Sequence, residues 1–74
     1  MTTRIKPGCR HRALTRALVD GSRVWLLDDW GQGPIGTLES MVGTESRNAC
    51  ICFVRQRSGA LAMHVHRIGG GRGK

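Results

Sequence analysis

Residues 49–56 (ACICFVRQ) and 61–68 (LAMHVHRI) are two short runs rich in apolar and β-branched side chains, set around Arg57-Ser58-Gly59. Such a pair predicts a β-hairpin, and its register governs much of what the chain can build. If Arg57-Ser58-Gly59 is a three-residue loop with Gly59 left-handed, Cys52 faces His64 and Cys50 faces His66. Ile51, Phe53, Leu61, Met63 and Val65 then line the opposite face, which is the face expected to be buried. If Ser58-Gly59 is instead a two-residue turn, Cys52 pairs with Val65 and the cysteines join the core. One residue of slip changes every neighbour. The first register is preferred because it buries Phe53, the only phenylalanine.

The rest of the chain extends the β reading. Residues 23–27 (RVWLL) predict a strand, with Trp25 in the core, followed by a polar loop over 28–34. Residues 35–42 predict a second strand, interrupted by Gly36, which signals a bulge or a close backbone approach. Residues 43–48 are a turn-rich connection. Before these strands, RHRALTRALV over 10–19 places Leu14, Ala17 and Leu18 at helical spacing, with Gly21 positioned to end a helix. The competing reading runs an extended segment from Ala17 into the next strand. Residues 1–8 contain Pro7 and Gly8 and little to bury, so a mobile basic arm is expected. Residues 69–74 (GGGRGK) read as a flexible basic tail. With 74 residues in all, there is room for one small domain over 9–68. The expected fold is mainly β: a small bent antiparallel sheet or open barrel of about four strands, with a short N-terminal helix.

Charge is segregated along the chain. Residues 1–23 carry six bases and one acid, residues 24–46 four acids and no base, and residues 47–74 six bases and no acid. The segment charges are +5, −4 and +6, giving the net +7. That layout points to polyanions or acidic protein surfaces as partners. The candidate contacts are Arg4, Lys6, Arg10, Arg12, Arg16, Arg55, Arg57, Arg67, Arg72 and Lys74. Aromatic stacking platforms for single-stranded bases are missing, so nucleic-acid contact would be electrostatic. Four clustered acids would repel phosphates, whereas a protein target of mixed charge can use both signs. Trp30, Ile35, Asp28 and Asp29 are the candidate protein-binding residues, with Trp30 the anchor because a loop tryptophan delivers contact area at small entropic cost.

Chemistry at a catalytic or metal site finds little support. Cys9-x-His11, Cys50-x-Cys52 and His64-x-His66 offer zinc-ligand types, yet Cys-x-Cys on one strand face gives the sulfurs little freedom to converge. No metal or cofactor is expected. The bland alternative is small half-buried cysteines beside two exposed histidines. No motif orients a thiol nucleophile, and the glycines of 31–36 lack the lysine and helix of a phosphate loop. Three cysteines, an odd number, read as free thiols in a reducing cytoplasm. No apolar run reaches the roughly 20 residues of a membrane span, and the basic N-terminus lacks the apolar stretch of a signal peptide.

Gly21-Ser-Arg-Val-Trp-Leu-Leu-Asp-Asp29, Gly33-Pro-Ile-Gly-Thr-Leu38, Cys52-Phe-Val and Met63-His-Val together resemble the SH3-like barrels of the KOW and Tudor type. The likeness spans residues 21–68 and lacks the aromatic cage of methyl-lysine readers, there being no tyrosine. It implies a small barrel that rides on RNA polymerase or ribosomes. Small size and a basic surface are also similar to phage-encoded regulators of a host polymerase. The expected function is therefore that of a non-enzymatic, monomeric module regulating transcription by binding an RNA polymerase subunit. An RNA- or ribosome-binding protein is the alternative, and a zinc-stabilised structural module a third.

Overall fold

The computed structural model describes residues 1–45 and 47–69. Arg72, Lys74 and the rest of the expected flexible tail beyond residue 69 lie outside them. The elements run β1 (Thr2–Ile5), α1 (His11–Asp20), β2 (Arg23–Leu26), β3 (Ile35–Gly43), β4 (Ala49–Arg55) and β5 (Leu61–Arg67). The five strands form one sheet in the order β1-β2-β3-β4-β5. β1 lies parallel to β2, and each remaining pair is antiparallel. The fold is thus mainly β, with a mixed sheet of five strands rather than about four and no closed barrel. The sheet's two ends meet at a single point. Beyond β1, Cys9 bridges Ile68, and the Gly8 and Gly69 amides donate to the Arg67 and Cys9 carbonyls at 2.8 and 2.7 Å.

The expected mobile arm over residues 1–8 is corrected by β1. Thr2–Ile5 has only one buried side chain, Ile5, so no apolar pattern marks it in sequence. Backbone pairing with β2, and burial of Ile5 in the core, hold it in place. A parallel pair needs a crossover connection, and α1 supplies it. The helix forms one residue later than expected at each end. Leu14 and Ala17 are buried and Leu18 packs against the core, the face that the helical spacing implied. It stops at Gly21, whose φ of 68° lets its amide cap the Ala17 carbonyl at 3.0 Å.

The hairpin takes the preferred register: Cys50 faces His66, Cys52 faces His64 and Phe53 faces Met63. Gln56 and Ala60 close a three-residue loop in which Gly59 has φ 96°, a conformation that side chains with a Cβ disfavour. The buried face is the other one. Cys50, Cys52, Val54 and His66 point into the core, while Leu61, Met63 and Val65 are exposed and Ile51 and Phe53 half-buried. The reason is non-local: α1 packs over the face carrying the thiols, and its Leu14 and Ala17 join Val24, Leu26, Leu38, Cys50, Cys52 and Val54 in one cluster. The expectation of exposed histidines falls with this, since His66 is fully buried and His64 half-buried. Trp25, expected in the core, stands half-buried in β2, its Nε1–H donating to the Gly33 carbonyl at 3.2 Å.

Gly36 marks a close backbone approach, whereas the bulge of β3 falls further on, between Leu38 and Ser40. A Cβ on Gly36 would sit 2.1 Å from the Arg55 carbonyl oxygen. Strands β3 and β4 would have to separate there, a form of overpacking. Gly36→Val is expected to lower unfolding free energy by about 3 kcal/mol, at the upper end of overpacking costs. Urea denaturation measures it, and a loss comparable to that at exposed Gly43 would contradict the close approach.

Candidate interaction surfaces

Three surfaces carry the candidate residues, each positioned by a different part of the fold. The first is the loop after β2. Asp28 Oδ1 accepts the amide N–H groups of Trp30 at 2.8 Å and Gln32 at 2.9 Å, and the Asp28 amide donates to the Gln32 carbonyl at 2.7 Å. These bonds, Gln32 first, hold the Asp28 carboxyl below its ordinary range. Asp28 therefore shapes the loop. Asp29 pairs with Arg67 at 2.7 Å, tying the loop to the end of β5. The loop so braced presents Trp30 at 82% exposure. Ile35, partly exposed, stands opposite Trp25 in the β2–β3 register.

The second surface is the outer face of β3, β4 and β5, which sequence reasoning assigned to the core. Val42, Ile51 and Val65 form one cross-strand row, and Phe53 with Met63 the next. Met63 is 66% and Val65 57% exposed. These rows leave apolar side chains side by side in solvent on one sheet face. The alternation of the hairpin contained the signal, but both faces of 49–56 and 61–68 are apolar, so pattern alone did not choose between them.

The third surface is a groove of about 590 Å³ between β1 and α1. It gathers Arg4, Lys6, Arg10, Arg12 and Arg16 around a floor that includes Ile5, Ala17 and Val24. Five of the sequence-predicted cationic residues are thus brought together. The others are not. Arg55 is held by Glu39 at 2.8 Å; the Glu39 carboxylate raises the Arg55 pKa, and the Arg55 donors lower that of Glu39. Arg67 is held by Asp29, and Arg57 stands exposed in the β4–β5 turn.

The thiols and imidazoles cluster inside. His66 Nε2–H donates to the Lys6 carbonyl at 3.2 Å, leaving Nδ1 buried with no partner. Protonating Nδ1 would bury a charge with no acceptor, and burial lowers the pKa of His66 and, against the Asp28 charge, of His64. Burial raises Cys9 and pushes Cys52 up to about 12. Neither thiol is an activated nucleophile. Among the described residues, no group of three or more His, Cys, Asp or Glu is arranged to hold a metal ion, and no helix is long and apolar enough to cross a membrane. No protein-family model, curated protein or solved structure matches the chain.

Two measurable consequences follow from the buried groups. Because the folded histidines have depressed pKa values, the unfolded chain binds more protons below its own value of 6.5. The stability that the histidines contribute is then constant above about pH 6.5 and falls as pH drops below it. Urea unfolding at pH 7.5 and 5 measures the loss, and His66→Gln should reduce it. A flat profile would show that both rings stay solvated when charged. Thiol titration with a disulfide reagent at pH 8 should leave Cys50 and Cys52 unmodified until denaturant is added. Rapid native labelling of either would place it outside the core.

Proposed function

We propose that this chain is a non-enzymatic binding module that regulates gene expression by docking on the transcription machinery, with an RNA polymerase subunit as its target. The observation that carries the protein-interface reading is the uncovered apolar face of β3–β5, with the loop that presents Trp30 tied by Asp29 to Arg67 of β5. Apolar side chains left in water at the centre of a sheet face gain burial energy only when a partner covers them. The resemblance to KOW- and Tudor-type barrels supports the transcription setting, and buried thiols with raised pKa values support a binding rather than a catalytic role. The module acts as a cytoplasmic monomer until it meets its target.

Titration of nucleic-acid-free bacterial RNA polymerase tests this. Trp30→Ala and Met63→Asp each change an exposed residue and should weaken binding by about 2 kcal/mol or more, the scale of interface hot spots, while the far-UV spectrum stays unchanged. The second reading, an RNA- or ribosome-binding basic protein, is favoured by one observation: Arg10, Arg12 and Arg16 form no ion pair among the described residues. Full affinity for naked RNA, falling steeply with salt and indifferent to Trp30 and Met63, would replace the first reading with the second.

A further inference from the structure

We propose that the groove between β1 and α1 binds an acidic peptide segment whose backbone runs along β1 and whose aliphatic side chains enter the groove. This inference concerns a different surface from the β3–β5 face and does not depend on the polymerase reading.

The groove is strongly cationic. Arg4, Lys6, Arg10, Arg12 and Arg16 line one cavity whose only acid is Asp20. Neither ion pair of the described residues involves any of them; the Arg4 guanidinium lies 5.8 Å from the centroid of the Trp25 ring. The helix makes the site still more positive. No acid stands in the first turn of α1, and Arg10 at its N-cap makes no side-chain capping bond. Helix N-termini favour negative charge, yet here Arg10 and Arg12 sit at that end. Like charges held together without counter-ions are stabilised by an anionic ligand, and arginine forks match carboxylates in geometry.

The floor decides which anion. Ile5, Ala13, Ala17 and Val24 line the groove, with no aromatic side chain among its residues. Single-stranded nucleic acid binds through base stacking on aromatic rings as well as through phosphates, and this groove provides no ring. Aliphatic side chains of a peptide fit such a floor, and its volume is within the usual range for a ligand pocket. The backbone adds a third contribution. β1 is an edge strand, paired with β2 on one side only. An extended peptide can add to an open strand edge through a repeating N–H and C=O ladder that a nucleic acid does not offer, with alternate side chains pointing into the groove.

The probe is a short fluorescein-labelled peptide in which Glu alternates with Val and Leu, titrated with the full chain by fluorescence anisotropy. Saturable binding is expected, with amide shifts in residues 2–5 and in α1. Arg12→Glu together with Arg16→Glu should weaken it at least about tenfold, while Arg57→Glu, remote from the groove, should change it much less. Both changes are at exposed positions, and an unchanged far-UV spectrum confirms the fold. Replacing the probe's Val and Leu by Ser should cost a similar factor. Equal affinity for the Ser peptide would reduce the site to diffuse electrostatics and overturn the proposal. So would equal losses at Arg57, tighter binding of an oligouridylate with the same arginine dependence, or no binding of the peptide. None of these outcomes bears on Trp30 or Met63, so the polymerase reading fails or stands separately.

Discussion

A single ten-residue helix is the only helical cover that the described residues offer a five-stranded sheet. An isolated helix of that length is marginal in water, so α1 persists by packing Leu14 and Ala17 onto the sheet. The sheet in turn gains its core from the same contact: Val24, Leu26, Leu38, Cys50, Cys52 and Val54 are buried on the side that the helix takes. One helix cannot serve two faces. The outer side of β3–β5 therefore keeps Val42, Met63 and Val65 in water, forgoing roughly 1.5–3 kcal/mol for each large aliphatic side chain that full burial would stabilise.

The same helix sorts the charges. As the crossover between parallel strands, α1 returns the chain beside β1, so basic residues spaced along 4–16 converge on one groove. The acids of the middle segment are spent differently. Glu39 and Asp29 pair with Arg55 and Arg67, and Asp28 closes its own loop. Exposed pairs of this kind are worth little in stability, but they locate the unbalanced positive charge. What reads in sequence as a basic–acidic–basic string becomes a neutralised rim near β5 and an uncompensated basic groove beside α1.

Local signals in the sequence settled a good part of this molecule. The hairpin register is the one preferred in sequence, Cys52 facing His64 across a loop with a left-handed Gly59, although the burial of Phe53 that favoured it is only partial. Gly21 marked the end of the helix, and Gly36 the close passage of β3 against β4. Trp30 was legible as an exposed ring, because it stands in a polar loop after two acids. Tertiary structure alone decided which hairpin face is inside. Both faces carry apolar side chains, and the choice depends on where a helix forty residues upstream comes to rest. It alone made a strand of Thr2–Ile5, whose polar residues are ordered by backbone pairing with β2 rather than by a pattern of their own. The basic groove belongs to the same class: its five cations were named from composition, but only a parallel crossover, with its long-range pairing, places them around one apolar floor.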